Sequence, residues 1–337
     1  MKDGVPCLHC RFGAMPAEAA FVDAIRDDPD DRMLPLVYAD WLDEQGDSRG
    51  ELIRLQCELD GVPLANPHRQ VLRIAIQDLC RLYQSDWVMP LRRRVLNWQE
   101  ARVHCGLIEN VSMSPTAFLK HAESGLFEEM PHLVGVTLQG AEKSLNRALA
   151  SPYIGSLNSL RLKVIGPYFG ELIQRLASLA TVRNLTSLNL CDGHFGDEAI
   201  SVLLRSNAFP RLKRLNLQHN ALTFRIAESL VESPFATQLE LLALGSRWEY
   251  GRNRLEDAGV RILAESRTPL RLRWLDLAGN ELGDSSAWDL SNADCLENIE
   301  CLYLAGNSFG QASRNALEAR FPGRVFHAPC EPESVCL

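Results

Sequence analysis

A leucine-spaced segment recurs eight times through this chain, and it limits the possible folds more than any other property of the sequence. Clear copies are LTSLNLCDGHF from Leu185, LKRLNLQHNAL from Leu212 and LRWLDLAGNEL from Leu272. Successive copies start 25, 24, 28, 27, 27, 33 and 27 residues apart. A nearly constant period of this length is typical of stacked units that bury their apolar sides against each other. The copies start at Ile108, Leu133, Leu157, Leu185, Leu212, Leu239, Leu272 and Ile299.

Each copy predicts a short strand followed by a helix. In the strand, leucines alternate with other residues, so the leucines face inward and the residues between them face outward. The helical part places apolar residues three and four apart. We expect Asp197, Asp257 and Asp284, near the helix starts, to satisfy the free amides there. An asparagine after the strand can bond loop backbone, so we predict a structural ladder of Asn220, Asn253, Asn280 and Asn307.

The pattern LxxLxLxxNxL, with a helix in each unit of about 27 residues, resembles the ribonuclease-inhibitor type of leucine-rich repeat. The resemblance covers about Ile108 to Arg320. It implies an α/β fold, a solenoid with parallel strands on its concave face and helices on its convex face. It does not imply one function, because a fold of this kind carries many.

The outward positions of the strands and one insertion suggest where a partner would bind. After Leu244 the segment GSRWEYGR lengthens one copy of the repeat, and this insertion predicts a loop. Aromatic residues are enriched where proteins bind each other. An alternative is that Trp274 only covers sheet edges and the insertion has no role. The predicted partner-binding residues are Trp248, Tyr250, Trp274, Asp276 and Tyr303, with Arg214 and Asn216 flanking them.

Before the repeats, the sequence predicts four helices: Pro16 to about Asp27, one within MLPLVYADWLDEQGD, one within SRGELIRLQCEL, and His68 to about Tyr83. The stretch from Glu18 to Leu59 closely resembles the repeat-companion domain, a small helical module found beside repeats in bacterial paralogous families. That resemblance implies neighbouring leucine-rich repeats and no known activity. The matching residues are Phe21, Ala24, Ile25, Pro29, Asp31, Leu36, Tyr38, Ala39, Asp40, Trp41, Leu42, Gly46, Asp47, Arg49, Glu51, Ile53, Leu55 and Gln56.

The module is strongly acidic. Between Glu18 and Asp60 there are 13 acids and four arginines, a net charge of −9 in a chain whose total is −8. The acids at 40, 43, 44 and 47 could share a helix face. Their spacing does not match a calcium loop, and we interpret them as a solvated face with local arginine pairs. In the YADW stretch we expect Tyr38 and Trp41 in the core and Asp40 facing outward.

Composition favours a cytoplasmic protein that binds neither nucleic acid nor membrane. The net charge is negative, whereas nucleic-acid binders are usually basic, and no apolar run approaches the length of a membrane span. The N-terminus lacks the apolar stretch of a secretory signal. The ten cysteines are scattered, and we interpret those at apolar positions as reduced core or near-core residues: Cys57, Cys80, Cys191, Cys295 and Cys301. Cys7 and Cys10 form a lone CxxC pair around His9, where a zinc site would need four ligands.

Together these patterns predict a non-enzymatic protein-binding scaffold with no cofactor and no metal. The expected boundaries are a flexible tail (1–14), the helical module and connector (15–100), the repeats (101–326) and a second tail (327–337). Motifs of common hydrolases, nucleotide-binding loops and zinc proteases are missing. Two alternatives stay open: a regulator or activator of a small GTPase acting through the repeat face, and a metal-dependent enzyme using the module's acids.

Overall fold

The structure is a computed structural model that describes residues 16–28, 31–63, 66, 68–87, 97–130, 132–166, 170–247 and 251–327. It is α/β, and it divides into two compact units, residues 1–111 and 112–337. None of the helices in these ranges combines the length and the apolar character that a bilayer crossing demands.

The first unit contains four helices and a β-hairpin. The hairpin turn is Cys105–Gly106, with φ values of +46° and +73°. Positive φ at both central residues is the pattern of a type I′ turn, whose twist matches that of the flanking strands. The elements are α1 (Pro16–Asp27), α2 (Met33–Glu44), α3 (Arg49–Gly61), α4 (His68–Trp87), β1 (Asn97–His104) and β2 (Leu107–Met113).

The hairpin corrects the prediction that the module before the repeats is all-helical, because β1 begins at Asn97. The hairpin turn is bonded to helix α3. The Gln56 amide donates to the Val103 carbonyl at 2.8 Å and accepts from the Cys105 N–H at 3.0 Å. Arg49 Nη1 donates to the Gly106 carbonyl at 3.2 Å. The repeat copy that starts at Ile108 lies in β2, so the strand predicted there is present.

Tyr38 is at the centre of the first unit's core. Its ring is fully buried and stacks on Phe21 and Trp41, with ring centroids 5.6 and 6.2 Å apart. Its hydroxyl donates to Glu18 Oε1 at 2.9 Å. Burial raises the pKa of the Tyr38 phenol, so it stays protonated and donates. The Asp40 side chain is 74% exposed, so YADW has the predicted orientation.

The second unit alternates helices with short strands. Each strand from β3 to β10 lies parallel to the next in chain order. The strands are β3 (Gly135–Gly140), β4 (Ser159–Val164), β5 (Ser187–Asn189), β6 (Arg214–Asn216), β7 (Leu241–Ala243), β8 (Trp274–Asp276), β9 (Cys301–Tyr303) and β10 (Val325–Phe326). The helices are α5 (Pro115–Glu123), α6 (Leu126–Glu129), α7 (Glu142–Leu149), α8 (Gly170–Ser178), α9 (Gly196–Leu204), α10 (Ile226–Val231), α11 (Glu256–Ala264), α12 (Asp284–Ser291) and α13 (Gln311–Arg320).

One row of apolar side chains crosses the sheet on its inner side. These residues are paired in register from strand to strand, and each is at most 3% exposed. Burial of a leucine side chain contributes about 2 kcal/mol, so this row is a main source of stability. The row is Val136, Leu160, Leu188, Leu215, Leu242, Leu275 and Leu302.

Where the strands end, the predicted ladder residues bond backbone in neighbouring repeats. Asn253 Oδ1 accepts from the N–H groups of Asn220 and Leu222, at 2.9 and 3.0 Å. Asn280 Oδ1 accepts from Leu255 N, and Asn307 Oδ1 accepts from Asn280 N at 2.9 Å. Each asparagine therefore satisfies buried amides that the strands leave behind.

The aspartates near the helix starts do not cap their own helices as predicted. Asp197 in α9 accepts from the N–H and the hydroxyl of Thr223, in the following repeat. Asp257 accepts from Gly283 N at 2.8 Å, and Asp284 accepts from Gly310 N at 2.6 Å. Hydrogen bonds from the Ser313 hydroxyl and the Gly310 N–H lower the pKa of the Asp284 carboxyl. The carboxylates thus join consecutive repeats, a relation that sequence distance within one helix does not suggest.

Candidate functional site on the outer sheet face

The side of the sheet opposite the leucines is called the outer sheet face here. It carries two rows of side chains in register across β4 to β9. The first row is Ser159, Ser187, Arg214, Leu241, Trp274 and Cys301. The second row is Arg161, Asn189, Asn216, Ala243, Asp276 and Tyr303. Five of the seven predicted partner-binding residues lie in these rows: Arg214, Asn216, Trp274, Asp276 and Tyr303.

The aromatic part of the predicted binding surface is buried, which corrects the expectation of exposed rings. Trp274 is 4% exposed and Tyr303 is 9% exposed. Adjacent strands lie about 4.8 Å apart, so large side chains on neighbouring strands pack on each other. The Trp274 and Tyr303 ring centroids are 5.3 Å apart, and Tyr303 stacks on Phe326 at 5.0 Å. Trp248 and Tyr250 lie outside the described residues.

Asp276 and Asn216 are also buried, each 4% exposed, and they belong to one polar network. Gln218 Nε2 donates to Asp276 Oδ2 at 2.6 Å, and the Ala278 N–H donates to Oδ1 at 2.9 Å. Asn216 Oδ1 accepts from the Gln218 N–H at 2.9 Å. A β-carbon on Gly245 would lie 2.5 Å from the Asp276 carboxylate, so the glycine leaves room for this bridge across β7.

Burial raises the pKa of the Asp276 carboxyl to about 6, although its bonds to Ala278 and Gln218 oppose the shift. The folded chain therefore takes up this proton at a higher pH than the unfolded chain, whose carboxyl ionises near 3.8. The proton on the Asp276 carboxyl contributes to folding stability. This contribution is fully present below about pH 4 and is lost as the pH rises through about 6. The loss amounts to about 3 kcal/mol as an upper estimate.

We expect the Asp276→Asn variant to lack this pH dependence. Relative to the wild type, its free energy of unfolding should increase as the pH rises from about 4 to about 7, because the variant has no carboxylate to bury. Urea unfolding across this pH range measures the difference. The exposed Asp294→Asn variant is the control. Parallel pH profiles for Asp276→Asn and the wild type would show that Asp276 is not linked to folding in this way.

The longer repeat copy is anchored on both sides of its insertion. His219 Nε2 accepts from the Arg247 N–H at 3.0 Å. The Ser246 N–H donates to the Ala278 carbonyl at 2.7 Å, and Ser246 Oγ accepts from the Asn253 N–H at 2.8 Å. Arg247 is exposed, and Ala243 ends the preceding strand. The described ends of the insertion therefore form an irregular loop, as predicted.

Basic residues on β4 and β6 are the more accessible part of the outer sheet face. Arg161, Lys163 and Arg214 are each half-buried. Arg161 Nη2 donates to Cys191 Sγ at 3.2 Å, while its Nε is buried with no hydrogen-bond partner in the described part of the chain. Burial raises the pKa of the Cys191 thiol to about 11, so the sulfur is a neutral acceptor. These strands therefore carry positive charge at three positions, of which the sequence pattern predicts only Arg214, as a flanking residue.

Four acids of the first unit are paired with two arginines. Arg54 contacts Asp40 and Asp43, each at 2.6 Å. Arg49 contacts Asp47 at 2.7 Å and Glu18 at 3.0 Å. Among the described residues, no group of three or more histidine, cysteine, aspartate and glutamate side chains could hold a metal ion. Cys7 and Cys10 lie outside those residues.

The network around Asp276 was only partly identifiable from the sequence. The sequence pattern places Asp276 beside Trp274, but it does not link Asp276 to Gln218, which is 58 residues away. The missing signal was the pair of small residues at the end of β7 and just after it, Ala243 and Gly245, over which the two polar side chains meet.

In comparisons with known proteins, no family model matches the sequence and no curated protein matches it significantly.

Proposed function

We propose that this chain is a non-enzymatic protein–protein interaction scaffold whose second unit is a leucine-rich-repeat solenoid of the ribonuclease-inhibitor type. In this proposal a partner protein binds the outer sheet face, and the first unit is a repeat-companion module. The free thiols among the described cysteines, such as Cys57 and Cys191, support a reducing compartment, and we place the scaffold in the cytoplasm.

The contrast between the two sides of the sheet carries the proposal. On the inner side, six consecutive strands from β4 to β9 present leucine at the same register position. On the outer side, the second row changes from arginine to amide, alanine, carboxylate and phenol across the same strands. Stacking needs only the leucines. A varied set of groups in fixed register supports selective recognition of one partner.

The accessible residues support a contact at the β4–β6 side of this face. Arg161, Lys163 and Arg214 are partly exposed there, and Arg247 is exposed on the loop after β7. Arginine is enriched at binding hot spots because its planar head forms several hydrogen bonds. The buried pair Trp274 and Tyr303 would support the face instead of contacting the partner.

We expect the double variant Arg161→Glu/Arg214→Glu to lose its partner. Reversing two charges within one interface replaces attraction by repulsion. The measurement is affinity purification of full-length protein from the native cell, with partners quantified by mass spectrometry. The control is Arg205→Glu/Arg211→Glu, which makes the same change in net charge at two exposed positions. A partner that both variants retain equally, or lose equally, would contradict binding at this face.

A further inference from the structure

A groove of about 680 Å³ lies among the helices α5, α7 and α8, within the second unit. Lys143 and Arg147 of α7 and Arg175 of α8 line it, and Leu119 of α5 and Ala150 after α7 add apolar contacts. The groove is open to solvent along its length. Small-molecule sites usually enclose most of their ligand, so an open groove of this size suits an extended chain better.

The cations in the groove are not neutralised within the protein. Lys143, Arg147 and Arg175 are exposed, and none of them forms a salt bridge to another residue in the described ranges. Lys143 and Arg147 are four residues apart on one helix, where like charges destabilise each other. The lining also contains two carboxylates, the exposed Glu171 and Glu142, which accepts from the Leu172 N–H at 2.7 Å. Three cations and two carboxylates leave the groove with a net charge of +1.

Asn146 adds a specific hydrogen-bonding group between the two cations of α7. Its side-chain Oδ1 is buried and has no hydrogen-bond partner among the described residues. A buried amide oxygen without a donor costs free energy of folding. That oxygen has almost no solvent-accessible surface, so a ligand reaches it only after the Asn146 side chain turns toward the groove. A ligand N–H there would then remove the cost, and a peptide backbone supplies one at every residue except proline.

We propose that this groove binds an acidic peptide segment of a partner protein. Carboxylates of the segment pair with Lys143, Arg147 and Arg175, and a backbone N–H of the segment donates to Asn146 Oδ1. Leu119 and Ala150 contact its aliphatic carbons. This site lies on the helical side of the second unit, so it is separate from the outer sheet face and does not depend on binding there.

Fluorescence anisotropy of a labelled peptide of alternating glutamate and glycine, added to the full chain, tests the proposal. We expect saturable binding with a Kd below about 1 mM that weakens as salt is added. The Lys143→Glu/Arg147→Glu variant should bind about thirtyfold more weakly, since two attractive pairs become repulsive. The Asn146→Ala variant should bind about fivefold more weakly, because one hydrogen bond is lost.

Two controls separate local recognition from general charge effects. The Arg205→Glu/Arg211→Glu variant has the same net charge as the groove variant, and its affinity should stay within about twofold of the wild type. The matching peptide of alternating glutamine and glycine should not bind. Absence of saturable binding, equal binding of the uncharged peptide, or equal weakening by the control variant would overturn the proposal. So would binding of ATP in place of the acidic peptide with the same dependence on Lys143 and Arg147.

Discussion

The Asn253→Ala variant is expected to lower the free energy of unfolding by about 5 kcal/mol. Asn253 is completely buried, and its Oδ1 accepts from the N–H groups of Asn220 and Leu222. Its Nδ2 donates to the carbonyls of Leu217 and Leu244, at 3.0 and 2.9 Å. Alanine removes four hydrogen bonds and leaves four buried backbone groups without this partner. Urea unfolding followed by circular dichroism measures the loss.

The exposed Asn315 provides the matched control. It lies on α13, where its Oδ1 accepts from Gln311 Nε2 at 2.9 Å. Because water can replace that bond, Asn315→Ala should change the free energy of unfolding by less than about 0.5 kcal/mol. Equal effects of Asn253→Ala and Asn315→Ala would show that the asparagine ladder does not stabilise the repeats.

Arg49→Ala is expected to destabilise the first unit by about 3 kcal/mol. The Arg49 side chain is 19% exposed and contacts Asp47, Glu18 and the Gly106 carbonyl. Glu18 in turn accepts from the Tyr38 hydroxyl at 2.9 Å. Without the guanidinium, two partly buried carboxylates are left close together and the hairpin turn loses a donor. The unfolding transition of the full chain, monitored by tryptophan fluorescence, reports this change.

Arg54 on the same helix is the control for that variant. It also contacts two carboxylates, Asp40 and Asp43, but all three side chains are at least 39% exposed. Exposed ion pairs are worth little because water solvates both partners. Arg54→Ala should therefore cost less than about 1 kcal/mol. If Arg54→Ala proved as damaging as Arg49→Ala, burial would not explain the importance of the Arg49 network.

The repeating part of the fold was predictable because its signal is periodic. The spacing of Leu188, Leu215 and Leu302 predicts an inner row of side chains. Leu188 pairs in register with Leu215, and Leu302 occupies the same register position on β9. The asparagine after each strand likewise predicts loop contacts, since a buried amide side chain must bond backbone. Tyr38 was assigned to the core from its spacing to Trp41, and its ring is completely buried.

Contacts between distant segments were not predictable in this way. The bonds from Gln56 to Val103 and Cys105 place the hairpin with the helices, and no local pattern links these positions. Asp197 bonds Thr223 in the next repeat, although its position suggested a cap for its own helix. Such pairings depend on how neighbouring units stack.

The candidate site shows the same limit. Alternation correctly put Trp274 and Tyr303 on the outer side of their strands, but it could not show that the rings cover each other. The bridge from Gln218 to Asp276 depends on Gly245, the small residue that follows β7 beside the Asp276 carboxylate. Residues on neighbouring strands determine how exposed a side chain is and what it contacts. The sequence pattern of a single strand does not contain that information.

Site-specific photo-crosslinking tests a protein-binding outer sheet face most directly. A photoreactive amino acid at position 214, within β6 on that face, would be compared in native cells with one at position 205, an exposed position at the end of α9. The proposed scaffold predicts a discrete crosslinked protein from position 214 and none from position 205. No crosslinked protein from position 214, or the same product from both positions, would contradict it.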